Sequence, residues 1–380
     1  MTTSHFQHAK ITGISAVVPD YKKSIDDEIE YFQQDRKKLE RAKKMVGFGT
    51  RYVAPKGCTT VDLCQSAALL LLQGMNINVQ DIDALVFMIQ KPDFSHPGSS
   101  SLVHKFLGLP TTCAAFDVNQ GCAGYVYGLW LSSSLIESKA CKKILLLAGD
   151  NPSTTTGTNR ITEPVFGDAG TATLIEYTQE ECSSYFSLGA DGKGYDSLLV
   201  PSSGERLPVD RDILDLSIDD GKGNLWKLNQ CFMNGMDIFH FTLSIVPENI
   251  KEVLQLASLT QESIDFLVLH QANKQIVETV GMKSGFSSKQ YSSETFSTYG
   301  NQSTASVPSC ICHLLKDKVS QGKQKLLLSG FGIGLSWGSC IVDLNHIYCS
   351  GIALQKFDSI RSREEEIQHW INKILGKSNS

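Results

Sequence analysis

The sequence lacks any long apolar run and any secretory leader. Its most apolar windows, residues 67–72, 84–89 and 144–148, are far shorter than the roughly 18 residues that a membrane-spanning helix needs. The first ten residues have neither the basic region nor the apolar core of a signal peptide. These absences predict a cytoplasmic protein with no membrane anchor, in which the short apolar windows form buried strands or helix cores.

A strong excess of one charge and a disulfide framework are also missing. The 380 residues carry 35 Lys and Arg against 40 Asp and Glu, a net charge of −5. Nucleic-acid binding needs a concentrated basic face, so this balance argues against a nucleic-acid partner. The 11 cysteines are odd in number and irregularly spaced, in a chain long enough to build a core without cross-links. Free thiols in a reducing compartment are therefore expected.

Common cofactor signatures are absent as well. The sequence contains no GxxxxGK[ST] and no GxGxxG after a strand, and its closest glycine run is Gly-Phe-Gly-Ile-Gly at 330–334. Neither HExxH nor paired CxxC occurs, and Cys310-Ile-Cys312 alone is too close a pair for an ordinary zinc site. We therefore predict no metal ion and no bound cofactor.

An internal repeat is the strongest structural signal that is present. Asp83 and Asp265 lie 182 positions apart in similar apolar contexts, and two further echoes have offsets of 180 and 181. The three pairs are 81–87 with 263–269, 113–116 with 294–296, and 143–149 with 324–330. Three matches at nearly one offset indicate two halves, each with the order strand, loop, strand, helix, strand.

The apolar windows predict an α/β fold. Short buried strands separated by helical stretches such as 125–138 and 308–319 are typical of mostly parallel sheets covered on both faces. We expect an N-terminal half over 1–185, a C-terminal half over 186–345 and a helical extension over 346–380. The Gly- and Ser-rich stretch 187–204 and the polar segment 208–223 are expected to form either an exposed loop or a cap over an active site.

Cys122 is the first candidate for chemistry. It lies in Gln-Gly-Cys-Ala-Gly, between an apparent strand at 114–118 and an apolar helix that begins near Tyr125. The positive end of a helix lowers the pKa of a thiol there, and flanking glycines leave room for a substrate. The alternative is that Cys122 is one of many buried small residues.

His270 and Asn301 are the other candidates. His270 follows the apolar strand 264–269, at the sheet edge where open α/β folds bind ligands, although a structural histidine would fit there too. Asn301 lies in a polar turn before a helix and could serve only as a cap. The repeat places Cys122 and Asn301 at equivalent corners of two facing halves, which predicts one site at their junction.

Together these motifs resemble the β-ketoacyl-acyl carrier protein synthase III family of thiolase-like condensing enzymes. The similarity covers roughly residues 10 to 345 and rests on 120–124, 165–170, 233–239, 270–273, 300–308 and 330–338. It implies a five-layered αβαβα fold of two pseudo-duplicated halves, a homodimer, and Cys122, His270 and Asn301 as catalytic residues.

The resemblance also implies a two-stage acyl transfer. Cys122 would take an acyl group from a thioester of coenzyme A or acyl carrier protein, with the backbone N–H groups of Cys122 and Ile333 as oxyanion hole. A malonyl thioester would then lose CO₂ while neutral His270 and Asn301 donate hydrogen bonds to the enolate oxygen. The product would be a 3-oxoacyl thioester.

Several positions depart from the family pattern. Arg41 and Met45 stand where a tryptophan and an arginine usually hold the coenzyme A adenine, whereas Arg160 matches the other adenine-side arginine. His96 replaces the aromatic residue that crosses the dimer to shape the acyl pocket. The changed pocket motivates an alternative, in which the acyl group passes without decarboxylation to an alcohol or amine in specialised metabolite or glycan synthesis.

Basic residues near two predicted helices offer a docking surface for an acidic carrier protein. Gln275 stands where an arginine often docks the carrier, but Lys274 and Lys283 are close by. A second basic cluster spans 36–51 and could equally be a solvated helix face. In the extension, an apolar stripe over 367–375 at helical spacing predicts a helix that packs on its own body or on the dimer mate.

Two readings from other classes remain open. A cysteine hydrolase would need the histidine as a base beside Cys122 and the asparagine orienting it, but Asn301 lies on a separate corner. A non-catalytic partner subunit is the other reading, and the retention of Cys122, His270 and Asn301 argues against it.

Overall fold

A computed structural model describes residues 1–157, 161–221, 224–358 and 360–376. The strands, in chain order, are β1 Thr2–Phe6, β2 Ala9–Pro19, β3 Lys22–Ser24, β4 Thr50–Tyr52, β5 Ala84–Met88, β6 Ala114–Val118, β7 Lys143–Asp150, β8 Ala169–Tyr177, β9 Ser184–Ala190, β10 Leu198–Leu199, β11 Ile218–Asp219, β12 Leu225–Trp226, β13 Phe232–Met233, β14 Phe266–Leu269, β15 Lys323–Gly332, β16 Ser336–Asn345 and β17 Tyr348–Gln355. The α-helices are α1 Arg36–Val46, α2 Thr60–Gly74, α3 Ser100–Leu107, α4 Gly124–Glu137, α5 Ser153–Thr156, α6 Arg211–Asp215, α7 Gly235–Ala257, α8 Lys274–Lys283, α9 Glu294–Tyr299, α10 Ser306–Leu314, α11 Lys316–Gln321 and α12 Arg363–Ile374.

Two mixed sheets form the frame of the molecule. The first has the order β17-β2-β8-β7-β5-β6, and five of its six strands run in one direction, with β8 opposed. The second has the order β1-β9-β16-β15-β14, in which only β14 and β15 are parallel neighbours. All five side chains of β5 are buried, as expected for a strand that is covered on both faces.

The two sheets repeat one register at their centres. Ala84 of β5 lies opposite Ile144 of β7, and Phe266 of β14 lies opposite Leu326 of β15. Both residues of the second pair are 182 positions beyond their counterparts, so the internal repeat read from the sequence is a structural duplication. The third sequence match had suggested an offset of 181, and the strand pairing corrects it to 182.

Helices fill three layers around the two sheets. Buried side chains of α4 and α10 pack against strands of both sheets, so these two helices form the central layer. Helix α2 covers the outer face of the first sheet, while α7 and α8 cover the outer face of the second. Helix α4 presents buried residues on several sides, which is typical of a helix enclosed by a core. The expected five-layered αβαβα fold is confirmed.

The chain termini cross between the halves, which the expected boundaries at 185 and 345 did not anticipate. Strand β1 pairs with β9 in the second sheet, and β17 pairs with β2 in the first. The segment 346–376 is therefore a strand followed by helix α12, and not a helical extension alone. Because each terminal strand lies in the opposite sheet, neither half has its full sheet without the other.

Three local expectations are corrected by the structure. The strand expected at 294–296 is the start of helix α9, and the helix expected over 308–319 is interrupted at Leu315 between α10 and α11. The stretch expected to be a loop from Ser187 begins inside β9, where Ser187 is fully buried.

Within the parts of the chain that the structure describes, none of the helices could span a membrane.

Candidate active site

Cys122 lies where the first half meets the second. Strand β6 ends at Val118, a turn follows, and α4 begins at Gly124, so Cys122 stands two residues before the helix. Its side chain is buried, and its Sγ is 3.8 Å from Ser303 Oγ of the second half. The second half also packs closely on Cys122 through Gly332. Position 332 needs a glycine, because a Cβ added there would lie 2.9 Å from Cys122 Sγ.

The environment of the thiol differs from the sequence-based expectation. Burial raises the pKa of Cys122 to about 11, and the negative charge of Asp150 acts in the same direction. The Ser303 hydroxyl and the backbone N–H groups of Ile333 and Cys122 lower this pKa but do not offset the burial. The expectation of a depressed pKa is therefore wrong. The same two N–H groups point at the sulfur, where an oxyanion hole is needed.

Asn301 is held by backbone pairing with the first half. Its N–H donates to Val165 O at 2.9 Å, and its carbonyl accepts from Gly167 N at 3.1 Å. The side-chain Oδ1 accepts the Ser303 N–H at 2.9 Å. Because the carbonyl oxygen of the amide is thereby identified, the Nδ2 group is the free hydrogen-bond donor of this side chain.

His270 directly follows β14 and is buried. Its backbone N–H donates to Ser329 O at 2.8 Å, and its ring meets the Phe331 ring edge-on at 5.4 Å between centroids. Phe331 precedes Gly332, which packs on Cys122, so one strand end connects the histidine corner with the cysteine corner. Burial lowers the pKa of His270 to about 3. A neutral imidazole, as expected for a hydrogen-bond donor, results.

A polar network beneath Cys122 was not found from the sequence. Gln90 Nε2 donates to Asp150 Oδ2 at 2.9 Å and to Ser303 Oγ at 3.0 Å. Thr304 Oγ1 donates to Asp150 Oδ2 at 2.6 Å. The available signal was position, since Gln90 follows β5 and Asp150 ends the adjacent strand β7, at the sheet edge that also carries Cys122.

The predicted binding residues lie outside this junction or outside the described residues. Arg160 lies outside the described residues. His96 is exposed on the loop between β5 and α3. Lys274 packs against Gly47 at the end of α1, and Lys283 Nζ donates to Leu243 O at 3.4 Å. Arg51 leaves the expected basic cluster, because it is buried in ion pairs with Glu28 and Glu163.

The segment between β9 and α7 approaches the site. It contains the short strand pairs β10 with β13 and β11 with β12. The Cys231 N–H donates to Thr155 O at 2.8 Å. Burial raises the pKa of the Cys231 thiol to about 12, and negative charge on Cys122 acts in the same direction. Cys231, within this excursion, therefore lies near the cysteine corner. Among the described side chains, no cluster of three or more His, Cys, Asp or Glu is arranged to hold a metal ion.

Comparisons with known proteins agree with this geometry. The model of the 3-oxoacyl-[acyl-carrier-protein] synthase III family matches residues 116–192, and the model of its C-terminal domain matches 254–344. A putative 3-oxoacyl-[acyl-carrier-protein] synthase 3 of Campylobacter jejuni is 36% identical over 356 residues, which cover 92% of this chain and 98% of the relative. A β-ketoacyl-[acyl-carrier-protein] synthase III of Clostridioides difficile is 30% identical over 78% of this chain and 87% of its own length.

Solved structures give the same answer. The crystal structure of a 3-oxoacyl-(acyl-carrier protein) synthase from Burkholderia xenovorans superimposes with a TM-score of 0.86 at 33% identity, covering 93% of this chain and 99% of that one. Two duplicated sheets with a cysteine at their junction define a transferase with the thiolase-like fold. The chain belongs to the 3-oxoacyl-[acyl-carrier-protein] synthase III family.

Proposed function

We propose that this protein condenses an acyl thioester with a malonyl-type thioester to give a 3-oxoacyl product. Cys122 is the nucleophile, and the N–H groups of Cys122 and Ile333 hold the oxyanion of the tetrahedral intermediate. After acyl transfer to Cys122, the malonyl thioester loses CO₂. Its carbanion attacks the acyl carbon, the bond from that carbon to Cys122 Sγ breaks, and the cysteine leaves as a thiolate. His270 and Asn301 Nδ2 donate to the enolate oxygen during the decarboxylation.

The observation that carries this proposal is the meeting of three distant corners. Cys122, the Asn301 turn and the Phe331–Gly332 strand end that packs beside His270 come together at one junction. A neutral His270 suits a hydrogen-bond donor better than a base, which disfavours the cysteine-hydrolase reading. The fixed amide orientation of Asn301 supports the same role.

The proposal is tested by intact-mass analysis with a panel of acyl-CoA donors and malonyl thioesters. We expect a single acyl adduct on the wild type, its absence in Cys122→Ala, and malonyl-dependent CO₂ release by the wild type. An adduct that persists in Cys122→Ala would contradict the assignment of the nucleophile. Transfer of the acyl group to an alcohol or amine without CO₂ release would instead support the non-decarboxylative alternative.

The carrier protein is proposed to dock on the surface formed by α1 and α8. These helices contact each other, and α1 carries six basic residues, Arg36, Lys37, Lys38, Arg41, Lys43 and Lys44. Lys274 on α8 is partly exposed and lies beside the C-terminal end of α1. Because acyl carrier proteins are acidic, this basic surface is complementary to them in charge. Lys274→Glu should raise KM for acyl- or malonyl-carrier substrates several-fold at low salt and leave KM for the coenzyme A thioesters unchanged.

A homodimer is proposed through the open edge of the first sheet. In the described part of the chain, β6 pairs with β5 on one side and with no strand on the other. An unpaired edge of this kind is a template for a second strand. His96 lies on the loop between β5 and α3, from which we propose that it reaches the partner's acyl pocket. Sedimentation should show a dimer, and His96→Phe should change the preferred length of the acyl donor.

A further inference from the structure

We propose that Ser303 and Asp150 form a proton relay that removes the proton of Cys122 during acylation. The identity of the acyl donor in this inference rests on the proposed function. The path of the proton rests on the positions of the side chains around Cys122. Ser303 Oγ is 3.8 Å from Cys122 Sγ, and Gln90 Nε2 bridges Ser303 Oγ and Asp150 Oδ2 at 3.0 and 2.9 Å. Ser303, with Gln90 donating to both groups, thus connects the sulfur to a buried carboxylate.

The surroundings leave few other routes for the proton. Among the described side chains, only that of Ser303 hydrogen-bonds the sulfur of Cys122. His270 is a poor base, because its burial lowers the pKa of the imidazole to about 3. A thiol with a pKa of about 11 is almost entirely protonated at neutral pH, so attack needs a group that takes the proton.

Asp150 is suited to accept it. The carboxylate is 4% exposed, and burial raises its pKa against the hydrogen bonds from Thr304, Ser303 and Gln90. The titratable groups whose pKa values respond to its charge are Cys122, Cys64 on α2 and Asp168 before β8. Gln90 and Thr304 both donate to Oδ2, and the nearby Ser303 hydroxyl lowers the pKa of the carboxyl.

The hydroxyl of Ser303 has a single proton and two acceptors. Because Gln90 donates to Ser303 Oγ, the hydroxyl is free to donate either to Asp150 or to the Cys122 sulfur. Passing its own proton to Asp150 while taking the thiol proton moves one proton over the whole path. Ser303 touches the reacting sulfur, whereas Asp150 acts through Ser303 as a positioning residue.

The step balances in atoms and charge. Cys122 Sγ bonds to the carbonyl carbon of the donor as its proton moves to Ser303 and that of Ser303 moves to Asp150. The carbon–sulfur bond of the donor then breaks, and the electron pair leaves on the donor sulfur. The same path returns the proton to the departing thiolate, which restores the Asp150 carboxylate and releases the donor thiol.

The test compares Asp150→Asn and Ser303→Ala with the wild type, using rapid-quench mass analysis of acylation by acyl-CoA and alkylation by iodoacetamide. The relay predicts that each variant is acylated and alkylated about 10²-fold more slowly near neutral pH. The double variant should lose no more than either single variant, since both remove one path. Thr171→Val, which removes the buried hydroxyl bonded to Ala148 O, is the folding control.

The sign and the pH profile separate a relay from a structural role. The charge of Asp150 raises the pKa of Cys122, so its removal without a relay should speed alkylation. With the relay, the wild-type rate levels off once Asp150 is ionised, whereas the rate of Asp150→Asn keeps rising toward the thiol pKa of about 11. Asp150→Asn reacting as fast as the wild type would overturn the relay. Absence of any acyl adduct on the wild type would overturn the proposed function, while the alkylation arm would still decide the relay.

Discussion

The two halves of the molecule share a frame but differ at the corners that form the candidate active site. In the first half, Asp83 accepts the N–H of Lys143 at 2.9 Å through its Oδ2, and in the second half Asp265 accepts the N–H of Lys325 at 2.7 Å. Each aspartate also donates its own N–H to the carbonyl of the same lysine at 2.9 Å. The central strands have thus kept one geometry through the duplication.

The corners after these strands have diverged. In the first half β6 pairs with all five residues of β5 and leads to Cys122. In the second half the corresponding edge of β14 keeps one hydrogen bond, from Leu267 N to Gln290 O, and the chain continues into α9. Cys122 and Ser303 are nonetheless 181 residues apart and in contact. Nearly equivalent positions meet at the junction, and in the proposed function one half supplies the nucleophile and the other the hydrogen-bond donors to the enolate.

The largest test of this division separates the two stages of the reaction. His270→Ala and Asn301→Ala each remove a donor of the second half, so malonyl decarboxylation should fall about 10²- to 10³-fold. Acylation of Cys122 should persist in both variants, because its oxyanion hole is formed by backbone groups. Adduct mass and CO₂ release measure the two stages, and loss of the adduct in both variants would break the proposed division.

A smaller effect is expected where the halves interlock. Gly332→Ala would place a Cβ 2.8 Å from Cys122 Cβ, so the cysteine must shift and acylation should fall about 10²-fold. Gly192→Ala is the matched control, because nothing lies within 4 Å of its added Cβ. Equal acylation rates in the two variants would show that the contact does not position the thiol.

The histidine corner should also make stability depend on pH. The pKa of His270 is lowered by burial to about 3, below its unfolded value of about 6.5, so the unfolded chain binds the extra proton first. Stability from neutral His270 is present above pH 6.5 and is lost as pH falls toward 3. Between pH 7.5 and 5.5 the loss is about 1.4 kcal/mol.

Urea unfolding of the wild type and His270→Gln at the two pH values isolates this contribution. The variant has no titrating side chain at the position, so its free energy of unfolding should decrease by about 1.4 kcal/mol less than that of the wild type. Parallel pH dependences would show that the pKa of His270 is not lowered in the folded protein.

The smallest effect compares the two aspartates of the shared frame. Asp83→Ala and Asp265→Ala each remove an exposed carboxylate from a strand-end N–H, and each should reduce the free energy of unfolding by about 1 kcal/mol. Asp83 also accepts the N–H of Lys142 at 2.7 Å, so its variant should be the less stable of the two. A reversed order would indicate that the second half depends more on its frame than the first.

Local patterns predicted the central elements well. The strand at 114–118, the helix after Cys122 and the strand before His270 lie within two residues of their predicted bounds, because each is a short apolar run between small or polar residues. The helix at Glu294 was misread as a strand because the match to 113–116 rested on a single shared phenylalanine. Pairing partners, and not local sequence, decide whether such a segment extends a sheet.

The sequence by itself determined the duplicated α/β frame and the identities of Cys122, His270 and Asn301 as candidates, because buried strands and polar turns leave periodic and compositional marks. Only the tertiary structure decided the exchange of the terminal strands between sheets, the raised pKa of Cys122 and the path from its sulfur through Ser303 to Asp150. Burial and hydrogen-bond geometry depend on residues far apart in the chain, so they arise only when the two halves are packed together.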